Sequence, residues 1–137
     1  MNLLFHLIPK EKVAFVEETN TLRQVMEKME HHRYTAVPIL DKKGKYVGVL
    51  REGDILWYIK DLKEFNLMVA EKIVINKLPR VKDHKSVPIS ANLDQLIELS
   101  IQQNFIPVVD DRETFIGIVT RKAIISHLSK GYNNGKK

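Results

Sequence analysis

Thr120-Arg121-Lys122 stands where an apolar strand pattern gives way to a helical one. A hydroxyl and two cations placed there would join the unpaired N–H groups and the positive dipole end of a helix start, which is chemistry for a phosphate. The plainer alternative is an N-cap threonine followed by two solvated cations. Two further stretches, Lys12-Val13-Ala14 and Tyr34-Thr35-Ala36, lie at the mouths of short strands. Small residues such as Ala14 and Ala36 let a flat ligand reach strand-end backbone groups, while Tyr34 offers a ring face, Thr35 a hydroxyl and Lys12 a charge. The same residues also read as a core tyrosine and a surface lysine. Asp54 after Gly53 is a helix-start carboxylate, favoured there by the dipole whether or not it meets a ligand.

Other chemistry is thinly represented. The 137 residues contain no cysteine, so disulfides, thiolate metal sites and cysteine nucleophiles are out, in keeping with a cytoplasmic protein. No Gly-rich phosphate loop or nucleophile motif occurs. His31 and His32 are adjacent and on a helix would point about 100° apart, not toward one metal. The chain therefore reads as no enzyme, with no catalytic residues, no metal and no cofactor. Twenty-two Lys and Arg against 17 Asp and Glu leave a net charge of +5. That charge admits a nucleic acid as the rival partner, but no recognition-helix signature or basic-aromatic interleaving accompanies it. Met1 to Ile8 is apolar without a preceding basic region, so it does not read as a signal peptide. Charges break every other apolar run before a membrane span, so no membrane partner is expected.

The elements that must position these residues occur twice. Ala36-Val37-Pro38-Ile39-Leu40-Asp41, a loop and Tyr46-Val47-Gly48-Val49-Leu50 return as Phe105-Ile106-Pro107-Val108-Val109-Asp110, a loop and Phe115-Ile116-Gly117-Ile118-Val119. Ahead of each pair lies an amphipathic helix, with apolar stripes Leu22, Val25, Met26, Met29 and Leu93, Leu96, Ile97, Ile101. Both start from capping chemistry, at Thr19-Asn20-Thr21 and Ser90-Ala91-Asn92. Short extended segments precede these helices at Val13–Val16 and Val87–Ile89, and further helices follow the strand pairs around Ile55–Ile59 and Ile124–Leu128. The fold class is α/β (α+β), two β-α-β-β-α repeats expected to pack with pseudo-twofold symmetry, because about 60 residues form a marginal core alone. The expected divisions are an N-terminal segment 1–11, repeat 1 at 12–62, an ordered and partly helical connector 63–84 stopped by Pro79, repeat 2 at 85–130, and a frayed tail 131–137.

This doubled unit resembles the tandem cystathionine β-synthase (CBS) domain pair, or Bateman module. More narrowly, Pro9-Lys10-Glu11-Lys12-Val13-Ala14, Tyr34-Thr35-Ala36-Val37-Pro38, Glu52-Gly53-Asp54-Ile55-Leu56-Trp57 and Phe115-Ile116-Gly117-Ile118-Val119-Thr120-Arg121 look like stand-alone CBS pairs of Gram-positive bacteria, some of which are receptors for cyclic di-AMP. The resemblance implies a regulatory protein that binds an adenine nucleotide between its repeats and modulates a target protein in trans. Cyclic di-AMP is expected ahead of AMP or ATP. The residues it carries over as ligand-binding are Lys12, Ala14, Tyr34, Thr35, Ala36, Pro38, Thr120, Arg121 and Lys122, with Asp54 as a candidate ribose contact. In the family pattern a Gly is followed three residues later by Ser or Thr, near phosphate, and three after that by an Asp that reads ribose. Here the pattern is divided: Gly48 and Asp54 flank Arg51, whereas Gly117 and Thr120 are followed by Ala123. The alternatives are a general AMP or ATP sensor and a dimerisation module with degenerate sites. A homodimer is expected, since the apolar run Ile55, Leu56, Trp57 and Ile59 exceeds one core stripe. Replacing Arg121 by Ala is expected to weaken ligand binding with folding little changed.

Overall fold

The structure, a computed structural model, describes residues 2–80 and 83–135. The chain divides into two compact units, Ala14–Asp83 and Met1–Val13 with His84–Lys137. In chain order the elements are β1 (Ile8–Pro9), β2 (Val16–Glu17), α1 (Leu22–His32), β3 (Ala36–Leu40), β4 (Tyr46–Arg51), α2 (Glu52–Lys60), α3 (Leu67–Ala70), β5 (Val87–Pro88), α4 (Leu93–Ser100), β6 (Phe105–Val109), β7 (Phe115–Thr120) and α5 (Arg121–Gly135). The architecture is mixed α/β with two sheets and five α-helices among the described residues.

In the unit Ala14–Asp83 the sheet order is β2-β3-β4, with β2 parallel to β3 and β3 antiparallel to β4. Helix α1 begins with a reciprocal capping box: the Gln24 amide donates to Thr21 Oγ1 at 3.3 Å, and the Thr21 amide donates to Gln24 Oε1 at 2.9 Å. It ends where Arg33 adopts a left-handed conformation, φ 56°. The stripe read from the sequence is the buried one, with Leu22, Val25 and Met29 in the core and Met26 packed against it. Every residue of β3 is buried, as expected of a central strand. The connector joins this same core. Ala70, Ile75 and Leu78 are buried in it, the Leu22 amide donates to the Ile73 carbonyl at 2.7 Å, and the Ile75 amide donates to the Asn20 carbonyl at 2.9 Å. Its helical parts are α3, capped by the Asn66 side chain, and a 3-10 turn at Ile75–Lys77 that stops ahead of Pro79.

The other unit repeats this plan with one strand more. Its sheet order is β1-β7-β6-β5, with β5 parallel to β6 and both β1 and β6 antiparallel to β7. Helix α4 carries the matching capping box, Asn92 with Gln95, both bonds at 2.9 Å. The segment that the sequence reading sets apart as 1–11 contributes β1, which pairs Ile8 with Ile118 and Pro9 with Gly117, and it buries Leu3 among Val87, Leu96, Val108 and Ile124. Gly117 sits at φ +155°, and a Cβ there would collide with the Ile8 carbonyl oxygen. Only glycine combines that conformation with so close a backbone. Where a frayed tail is expected from Gly131, α5 instead continues to Gly135; residues 136 and 137 lie outside the described residues.

Candidate functional site

At the start of α5 the side chains are already engaged. Thr120 Oγ1 accepts the Ala123 amide at 3.1 Å, so the threonine acts as the N-cap that its position suggests. The Arg121 amide donates to the Asn104 carbonyl at 2.9 Å, and Arg121 Nε donates to the Ser100 carbonyl at 2.7 Å. One guanidinium donor thus ties the end of α4 to the start of α5. This corrects the expectation that Arg121 is structurally dispensable, because its charge-assisted bond to a carbonyl belongs to the fold. Lys122 is exposed. Lys12 is exposed as well, at the end of a 3-10 turn, Lys10–Lys12, that packs against β7. Lys12, Thr120, Arg121 and Lys122 therefore belong to one unit.

Ala14, Tyr34, Thr35, Ala36, Pro38 and Asp54 belong to the other. Ala36 opens β3 opposite Arg51, and Pro38 is buried opposite Val49. Thr35 is exposed, and its carbonyl accepts the Glu52 amide at 3.0 Å. Tyr34 is half-buried, with its ring 5.4 Å from that of His32. It helps line an open groove of about 410 Å³ whose other lining residues include Met26, Met29, Ile55 and Ile59 with Glu30, Arg33 and Glu52. Asp54 is buried, and its Oδ2 accepts the Arg51 amide at 3.0 Å. A carboxylate in this position caps α2 whether or not a ribose is present.

Several polar residues escape the sequence reading. Asp83 Oδ1 accepts the Val49 amide at 2.9 Å, and Arg80 chelates the same carboxylate through Nε at 2.8 Å and Nη2 at 3.2 Å. The carboxylate lies against Gly48, where a Cβ would overlap it. Burial pushes the Asp83 carboxyl up, but the Arg80 hydrogen bonds, the Val49 amide and the charges of Arg80 and Arg51 hold it below its ordinary value. Tyr46 is pushed well up by burial and, secondarily, by the Asp83 charge. The signal available in the sequence is the Arg80-x-x-Asp83 spacing behind Pro79.

In the other unit the missed residues are His84 and Gln103, both buried. His84 Nε2 lies 3.1 Å from Asn104 Oδ1, and its ring packs 4.7 Å from that of Phe105. Gln103 Oε1 accepts the Lys85 amide at 2.8 Å, and its Nε2 donates to the carbonyls of Lys85 at 3.1 Å and Phe105 at 3.3 Å. The signal for Gln103 is its place in the repeat, where the first copy has Tyr34.

Among the described residues no group of three His, Cys, Asp or Glu could hold a metal ion, and no helix is long and apolar enough to cross a membrane.

Known proteins share this fold. The chain is 26% identical over 129 residues to cyclic di-AMP receptor B of Bacillus subtilis, covering 90% of this chain and 84% of that protein. Its fold matches a crystal structure of CbpB in complex with c-di-AMP, with TM-score 0.85 and 26% identity, covering 99% of this chain and 89% of that one. It also matches a CBS domain-containing protein from Bacillus anthracis, with TM-score 0.83 and 27% identity, covering 95% and 94% of the two chains. The CBS domain model matches twice, at residues 6–61 and 70–130. These two matches take in both strand–helix repeats, the N-terminal strand and most of the connector, and the chain belongs to the CBS domain family.

Proposed function

We propose that this chain is a non-enzymatic regulatory CBS pair that binds cyclic di-AMP and, by doing so, modulates a target protein in trans. The observation that carries this reading is the likeness to CbpB with c-di-AMP bound, at 26% identity across 99% of the chain. The base is read at the strand ends of the first repeat by Ala14, Ala36 and the Tyr34 ring, with Thr35 and Pro38 beside them. The phosphates are read by Lys12, Thr120, Arg121 and Lys122, charge-assisted donors of the kind that dominate phosphate recognition. Ala123 leaves the second repeat without a ribose-reading carboxylate. A cyclic dinucleotide, whose 3′ oxygen is esterified, has no free vicinal diol to lose by that. No cofactor or metal takes part, and the protein acts in the cytoplasm.

Competition calorimetry with cyclic di-AMP, AMP and ATP tests the reading. Cyclic di-AMP is expected to bind tightest. If AMP or ATP binds tenfold or more tightly, a difference of about 1.4 kcal/mol, the protein is a general adenylate sensor.

We also infer a homodimer. Leu56 and Trp57 on α2 are 57% and 58% exposed, and Ile125 on α5, which occupies the place of Leu56 in the second repeat, is 56% exposed. An apolar face displayed at matching places in both repeats suits a partner with the same repeat, namely a second copy of the chain. The mixed charges lining the α1–α2 groove, Arg33 with Glu30 and Glu52, suit a two-fold related copy. Light scattering at tens of micromolar is expected to give the dimer mass, and a strictly monomeric species would exclude it.

A further inference from the structure

The two repeats differ at the mouth of their parallel strand pairs. Ala14 precedes β2 as Lys85 precedes β5, Ala36 opens β3 as Phe105 opens β6, and Tyr34 stands where the second repeat has Gln103. We propose that Gln103 is a built-in occupant of the second repeat's base slot, so that each chain accepts an adenine at the first repeat only.

A carboxamide presents the same pair of groups as the amino edge of adenine, an N–H donor beside an acceptor. Gln103 uses both. Its oxygen takes the Lys85 amide at 2.8 Å, and its nitrogen gives to the carbonyls of Lys85 at 3.1 Å and Phe105 at 3.3 Å. The orientation is set by the partners, since an N–H must face the oxygen and the two carbonyls must face the nitrogen. The side chain is 6% exposed, so the strand-end groups a base would seek are satisfied internally and away from water. A free base brings equivalent hydrogen bonds but loses translational freedom on binding, whereas the tethered carboxamide is already in place. In the first repeat the corresponding residue is aromatic and leads into small residues, which suits stacking and close approach of a base.

The inference rests on the adenine-binding reading of the preceding section, and its test separates the two. Gln103→Ala and Gln103→Ser are titrated with AMP and with cyclic di-AMP by calorimetry, with folding followed by circular dichroism. The wild type is expected to take one AMP per chain, and the folded variants a second, with affinity at that site raised at least tenfold. Folded variants that keep the wild-type stoichiometry overturn the proposal and leave cyclic di-AMP recognition standing. Gain of AMP binding in the variants alone, with none in the wild type, supports the plug and overturns the first-repeat site. If neither protein binds an adenine compound, both readings fall. The converse substitution decides the matter where the Gln103 variants do not fold. Tyr34→Gln installs the carboxamide in the first repeat and is expected to lower affinity for cyclic di-AMP at least tenfold below that of Tyr34→Leu, which removes the ring without adding a plug. Equal affinities for these two variants would overturn the proposal.

Discussion

The starts of α2 and α5 are the same turn of the same repeat, yet each keeps a different half of one device. In the first repeat the N-cap residue is Arg51, and Asp54 at the third helical position accepts the Arg51 amide. In the second the N-cap is Thr120, whose hydroxyl accepts the Ala123 amide. A hydroxyl and a carboxylate three residues apart form a capping box, and each repeat retains one arm of it. Asp54 and Thr120 each make a helix-cap hydrogen bond in this chain, so retention of either does not by itself mark a site. What distinguishes the second repeat is the pair of cations that follows, Arg121 and Lys122. The sheet edges diverge in the same way. Strand β7 is covered by a backbone partner, β1, whereas β4 receives a side chain, Asp83, at its Val49 amide.

The sharpest way to break this comparison is at the two equivalent glycines. Gly117→Ala must adopt φ +155° and meets the Ile8 backbone. It is expected to cost about 3 kcal/mol in denaturant unfolding, the upper range for a strained backbone position. For Gly48→Ala the nearest atoms are those of the Asp83 carboxylate, a side chain that can swing away, so it should cost distinctly less. Equal costs would mean that the two edges are closed alike.

Arg121→Ala is expected to weaken cyclic di-AMP binding by about 2 kcal/mol, the range for hydrogen bonds to charged groups, and to lower stability by about 1 kcal/mol through loss of the Ser100 bond. Lys122→Ala should affect binding alone, because the Lys122 side chain is exposed. Unfolding and calorimetry on both variants separate fold from ligand at this helix start.

Asp83→Asn is expected to cost about 1.5 kcal/mol at neutral pH through loss of the charged pair with Arg80. Because the native Asp83 carboxyl lies below its unfolded value, its contribution is fully present above about pH 4 and is lost as pH falls through the native value. Asp110, held down mainly by the Thr114 and Arg112 amides, acts in the same direction. The Asn variant should therefore show a shallower acid unfolding profile than the wild type, and an unchanged profile would remove the ion pair from the account. The smallest effects belong to the caps: Thr120→Ala and Asp54→Ala should each cost about 1 kcal/mol, measured by unfolding without ligand. A loss confined to the ligand-bound state would assign those residues to ligand instead.

The local parts of this molecule were legible in its amino acids. The α1 stripe, the α1 and α4 capping boxes, the wholly apolar β3 and β6 and the doubled Gly48 and Gly117 rest on contacts within a few residues or on a spacing that repeats, so composition and periodicity carry them. The α4 stripe is corrected at its end: Leu96 is buried with Leu93 and Ile97 half-buried, but the helix stops at Ser100 and Ile101, beyond its last turn, is 74% exposed. The candidate residues are readable as types; Lys12, Thr120, Arg121 and Lys122 lie in one unit, and Ala14, Tyr34, Thr35, Ala36, Pro38 and Asp54 in the other. Tertiary structure alone decided which groups those residues were bound to. Two-residue β1 has no periodicity to announce that it completes the second sheet, and nothing in the connector names Ile73 and Ile75 as partners of Leu22 and Asn20. The ties of Asp83 to Val49, Arg121 to Ser100 and Gln103 to Lys85 join residues 34, 21 and 18 positions apart. Each arises because a strand edge or helix end left a backbone group needing a partner once the chain had packed, and any polar side chain brought near could have met that need.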